Sequence, residues 1–246
     1  MAKTAKSDRQ KVIDEIRKKQ RGADRRRGMM IVGVCVLIAL LIVGAAAYQP
    51  IKNWWDLRQF NDVDLASIGA PASVCGDITK KAAEGSNDHR PTGEQITYED
   101  APPAFGPHWN EAGVAPAPID KRFYDVDERP ELEALVHNLE HGYTILWYDE
   151  SIANDDSKLT EVKGIAKKLD VSDTNFRFKF IAAPWTDDDV KESKGFPKGQ
   201  HVALTHWVGG DKTQGIWQYC SEPSGEALKS FMDKYPYTDA PEPNAM

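Results

Sequence analysis

Five consecutive residues, His137-Asn138-Leu139-Glu140-His141, hold the densest chemistry in the chain. Histidines four apart on a helix share a face, so both imidazoles could reach one metal ion. The string matches the H-x-x-E-H order of inverted zinc peptidases. In that chemistry the two His hold zinc and the Glu takes a proton from the metal-bound water. A third protein ligand is required, and a five-residue signature is short. His108, in Gly106-Pro107-His108-Trp109, is the first choice to join His137 and His141, and three imidazoles suit Cu or Zn. His89, His201 and His206 are further candidates. The plainer expectation is structural: a buried His at a helix end hydrogen-bonds a carbonyl or a carboxylate, and a cation there complements the helix dipole.

Other chemistries are poorly served. The cysteines form no C-x-x-C pair, which argues against thiol–disulfide exchange, and no C-x-x-C-H is present for a c-type haem. No Gly-rich phosphate loop follows a strand. Asp187-Asp188-Asp189 reads as a solvated helix start, since the ligand spacing of a calcium loop is missing.

The elements that must position the histidines come from the C-terminal half. Pro130 can open a helix whose apolar face is Leu132, Leu135, Val136 and Leu139, and Gly142 ends it. Tyr143 to Tyr148 then reads as a buried strand. Residues 157–169 form an amphipathic helix. The alternation of Phe176, Phe178 and Phe180 with Arg177 and Lys179 predicts a half-buried strand. His201 to Val208 and Ile216 to Cys220 read as two more strands, and a last helix runs from about Gly225 to Tyr235. The order αβαβββα predicts an α+β domain over residues 130–240, with helices on a mixed four-stranded sheet, and a short tail at 241–246. Seven of the 15 prolines fall between residues 61 and 129. Proline fixes φ and removes a donor, so residues 49–129 read as a juxtamembrane and Pro-rich segment. Its aromatic residues argue against disorder and for a packed stretch that wraps the domain or a partner.

Residues 29–47, MMIVGVCVLIALLIVGAAA, are an uncharged apolar run of 19, close to the roughly 20 that span a bilayer. Of the chain's 31 Lys+Arg and 38 Asp+Glu, residues 1–28 hold 11 and 4, which leaves 20 and 34 for the rest. Positive flanks stay in the cytoplasm. The expected topology is therefore a basic cytoplasmic tail (1–28), a single transmembrane helix (29–48) in the plasma membrane and an acidic extracytoplasmic part. The n-region and apolar core are both too long for a cleaved signal peptide. Tyr48, Trp54 and Trp55 follow the run as aromatic anchors for the headgroup zone; the alternative for the two Trp is domain core. The acidic outer part excludes nucleic acid as an expected partner. Cys75 and Cys220 both lie outside, where disulfides persist, so they are the expected pair, and Cys35 sits in the apolar run.

Several strings together carry a resemblance. Ala101-Pro102-Pro103-Ala104-Phe105-Gly106-Pro107-His108-Trp109, Val136-His137-Asn138-Leu139-Glu140-His141-Gly142, Tyr148 and Pro241-Glu242 resemble an actinobacterial family of single-span membrane proteins. Its members carry a domain of unknown function with a PP-x-x-GPHW … VHNLEHG signature. The likeness covers roughly residues 75–242 and carries over His108, His137 and His141 as signature histidines. A corynebacterial member resembles an accessory subunit of the cytochrome bc–cytochrome c oxidase supercomplex. His206 departs from the pattern, which leads one to expect a small residue there. The resemblance implies a non-catalytic accessory subunit whose outer domain docks on respiratory complex subunits. The alternative is an extracytoplasmic copper or zinc binding or delivery protein, and a zinc hydrolase is third.

Overall fold

The structure, a computed structural model, describes residues 2–83, 88–170 and 178–245, without the side chains of residues 2–9 and 23. Phe176 and Arg177, expected at the start of a strand, lie outside the described residues. The chain divides into two compact units, one ending at Asp56 and the other starting at Leu57.

The first unit is essentially one helix, α1 (Ala2–Leu57), which includes Pro50. Among the described residues it is the one helix long and apolar enough to cross a membrane. The large apolar side chains of its run are exposed, as are Tyr48, Trp54 and Trp55. The two Trp therefore lie outside the domain core.

The second unit is α+β. Its remaining helices are α2 (Leu132–Glu140), α3 (Glu150–Ala153), α4 (Asp156–Leu169), α5 (Asp187–Glu192) and α6 (Gly225–Lys234). Its strands are β1 (Thr79–Ala82), β2 (His89–Arg90), β3 (His108–Trp109), β4 (Thr144–Tyr148), β5 (Phe180–Pro184), β6 (Val202–Val208) and β7 (Gln214–Cys220). The sheet has five strands in the order β1-β7-β6-β4-β5, one more than expected. Strands β4 and β5 run parallel, and the other neighbours are antiparallel. A separate parallel pair joins β2 to β3, with His89 opposite His108.

Alternation along β4 divides the core. Leu146 and Tyr148 point to one face, where they meet Val162, Ile165 and Leu169 of α4 and Leu228 and Phe231 of α6. Ile145 and Trp147 point to the other, where Leu135, Val136 and Leu139 of α2 pack with Tyr98, Ala101 and Ala117. The Pro-rich segment is thus spent on its own unit: it supplies the edge strand β1 and covers the second face. Thr79–Ala82, Thr-Lys-Lys-Ala, is exposed throughout, so no apolar alternation marks it as a strand. The acidic run also differs from expectation. Asp187 does open α5, but Asp189 is buried, closes a capping box with Thr186 and pairs with Arg129 at 3.0 Å.

Cys75 and Cys220 are bonded, with a sequence separation of 145. The bond ties the start of the Pro-rich segment to the end of β7. Replacing both cysteines with Ala in the full chain should cost about 2–5 kcal/mol, read as a lower urea midpoint by tryptophan fluorescence. An unchanged midpoint would contradict a stabilising role.

Candidate metal centre

Helix α2 presents its chemistry because its other side is anchored. Leu135, Val136 and Leu139 are fully buried, each contributing on the order of 1.5–3 kcal/mol. Asn138 is stitched to the Ala117 backbone at both ends of its amide, accepting from the N–H at 2.9 Å and donating to the carbonyl at 3.0 Å. Gly142 (φ +92°) closes the helix: its N–H bonds Leu139 O and that of Tyr143 bonds Asn138 O, both at 3.0 Å. This is a Schellman cap, which favours glycine in the left-handed region, and a Cβ there would strike the Tyr237 carbonyl. His137, Glu140 and the capping residue His141 are left facing the β2–β3 pair.

Strand β3 is held as firmly. Tyr98 OH donates to Pro107 O at 2.7 Å, and Trp109 Nε1 donates to Glu94 O at 2.8 Å. Gly106 takes φ +143°, and a Cβ would sit 3.0 Å from the Tyr98 ring. The loop therefore turns the Gly106 carbonyl onto the ring of His108.

The cluster is five side chains. His108 Nδ1 lies 2.9 Å from Gly106 O, and His137 Nδ1 lies 2.6 Å from Trp109 O. A carbonyl only accepts, so both Nδ1 atoms carry a proton, and the one neutral tautomer this allows each ring points its Nε2 lone pair inward. His108 Nε2 meets Glu140 Oε2 at 3.0 Å, and His89 Nε2 meets the same oxygen at 3.6 Å. His137 Nε2 meets His141 Nε2 at 3.0 Å. Two nitrogens each about 2.0–2.1 Å from one ion lie about 3.0–3.4 Å apart. His108, His137, Glu140 and His141 are all buried, whereas the His89 side chain is 42% exposed. Glu140 Oε1 and His141 Nδ1 are buried without a hydrogen-bond partner among the described residues.

Electrostatics keep the donors available. Burial pushes the Glu140 carboxyl up, but its close contact with His108 and the surrounding imidazoles, wherever these carry a proton facing it, outweigh burial and hold the group below the ordinary value. Burial pushes His137 down. Burial, then the neighbouring His137, pushes His141 down to about 4.

The C-terminal residues close one side. Glu242 N–H donates to Glu140 O at 2.9 Å, and its carboxylate lies 3.8 Å from His141 Nε2. Buried Lys179, its pKa lowered by desolvation, donates to the carbonyls of His141, Pro243 and Ala245 at 2.7, 3.0 and 2.9 Å.

His108, His137 and His141 thus come together, and His89 joins them. The other two histidines lie elsewhere: His201 is with Asp149 and Ser151, each at 2.8 Å, and His206 bridges Tyr143 O and Asp239 at 3.1 and 2.8 Å. Glu140 as a donor shared with His89 and His108, and Glu242 beside His141, were missed. The only sequence signal for Glu242 is its place in the Pro241-Glu242 string. Nothing local marks His89, which arrives through the parallel pairing of β2 and β3.

Residues 89–246 match the family described as "Protein of unknown function (DUF3105)". That is well over half of the chain, and the chain belongs to this family. The match includes all five residues of the cluster and stops short of Cys75 and the apolar run. No curated protein and no solved structure matches the chain.

The depressed histidines give the metal-free fold a pH dependence. An imidazole of ordinary pKa 6.5 that titrates at about 4 when folded binds more protons unfolded than folded between those values. Stability is therefore complete above that window and falls as pH drops through it, by about 1.4 kcal/mol per unit of separation. Thermal unfolding of the chelator-treated chain should show this decline, and His141→Asn should flatten it. A midpoint constant across the window would contradict the burial argument.

Proposed function

We propose that this member of the DUF3105 family is a membrane-anchored metal-binding protein. Its His–Glu cluster holds a transition metal, zinc or copper(II), on the side of the membrane away from the cytoplasm. The observation that carries the reading is the pair of backbone carbonyls, Gly106 and Trp109, that fix His108 and His137 with Nε2 inward. Histidine ligands commonly donate their other N–H to a carbonyl or carboxylate in this way. The donors are imidazole and carboxylate, with no thiolate or thioether, a set that suits zinc or copper(II) better than copper(I). Placement rests on the basic flank of the apolar run and on the disulfide, which persists in oxidising compartments. Tyr48, Trp54 and Trp55 would sit at the interface.

The full chain purified in detergent, without an affinity tag, should retain zinc or copper through gel filtration. His137→Ala with His141→Ala should lose it while far-UV circular dichroism stays unchanged. Absence of metal from the wild-type chain, or its persistence in the double variant, would contradict the reading.

A second reading, docking on a respiratory membrane complex, draws on the resemblance and on the exposed aromatic rings of Tyr48, Trp54 and Trp55, which offer a surface to a neighbouring subunit. The two readings are compatible, because an accessory subunit can hold a metal. Capture of the tagged chain from native membranes in mild detergent should bring down respiratory subunits. Recovery of the chain alone, at normal yield, would count against docking.

A further inference from the structure

We infer that the centre is built for two metal ions bridged by Glu140, an inference that rests on the metal-binding reading above. The donors fall into two triads, His89–His108–Glu140 and His137–Glu140–His141, and within each the ligand atoms lie within 4.8 Å of one another. Only Glu140 belongs to both. Donors about 2.1 Å from one ion can be at most about 4.2 Å apart, yet the five do not gather as one set even at the longer distance. A single ion would leave part of the cluster unused.

Glu140 belongs to both triads and has two oxygens. Oε2 faces His108 and His89 at 3.0 and 3.6 Å. Oε1 is buried and has no hydrogen-bond partner among the described residues. A bridging carboxylate holds two ions about 3.5–4 Å apart. The His108 and His137 ring centroids, one from each triad, are 4.9 Å apart, so each ring can serve its own ion. Each triad also contains one histidine whose tautomer a backbone carbonyl sets, His108 by Gly106 and His137 by Trp109. Asn110 meets His89 Nδ1 at 3.2 Å, and its amide can serve that nitrogen as donor or, turned over, as acceptor.

The triads differ in access. His137, Glu140 and His141 are all buried, whereas His89 is exposed, so the first triad opens to solvent and can complete its shell with water or hydroxide. The second has Glu242, whose side chain is 49% exposed and 3.8 Å from His141 Nε2. It can add the negative charge that one carboxylate does not supply to two dications. The second ion should therefore be the retained one and the first the exchangeable one.

The test uses the full chain in detergent, free of any His tag, stripped with chelator and titrated with zinc or copper(II). Native mass spectrometry should find two ions per chain, one of which mild chelation removes first. His89→Ala, an exposed position that leaves the fold intact, should bind one. Loaded with copper(II), the wild-type chain should show reduced spin intensity from coupling across the bridge, and His89→Ala should restore the full signal of one ion. One ion per wild-type chain, or two whose spins are uncoupled, overturns the bridged pair and leaves the metal centre standing. No bound ion overturns both.

Discussion

Two peptide carbonyls constrain everything at the histidine cluster. Gly106 O and Trp109 O bracket His108, and each takes an Nδ1–H, from His108 and His137 respectively. Because a carbonyl has no proton to give, the arrangement allows one neutral tautomer per ring. Lone pairs then face a carboxylate on one side and another imidazole on the other, at 3.0 Å in both cases. Facing lone pairs need a proton or a cation between them. Displacing β3 from α2 by one residue would undo the bond from His137 to Trp109 O and part His108 from Glu140, so the surrounding structure serves to fix that one register.

The register is fixed from several directions. Tyr98, Trp109 and the φ of Gly106 hold the loop before and within β3. Asn138 and the Gly142 cap hold α2, and the apolar face of the helix seats it on the sheet. Lys179 gathers His141 and the last residues into one hydrogen-bonded group. These restraints have a cost. Buried polar atoms without partners cost about 1–3 kcal/mol each, and among the described residues Glu140 Oε1 and His141 Nδ1 are two such atoms. An ion bound to the folded chain alone would offset that cost and stabilise the fold by mass action.

Much of this was legible in the residues, and the rest was not for identifiable reasons. The Leu135–Val136–Leu139 face and Gly142 announce α2, and the four-residue spacing of His137 and His141 announces a shared face. The apolar run yields a helix long enough to span a bilayer, and two remaining cysteines leave one pairing. Strand β1 was hidden because Thr79–Ala82 is an edge with every residue exposed. Alternation misdescribed β5: it runs parallel to β4 and is buried along its whole length, and such strands read as continuous apolar runs. His89 was only one candidate among several, because its partners come from a parallel pairing with His108 that no local pattern encodes. Asp189 looked solvated because its partner, Arg129, is far away in sequence.

X-ray absorption at the metal edge of the full chain, purified from native membranes, reads the ligand set directly. The account predicts a shell of nitrogen and oxygen with the outer-shell scattering of imidazole rings, and a loss of imidazole scattering in His108→Ala. A sulfur shell, or an imidazole contribution untouched by that substitution, would contradict it.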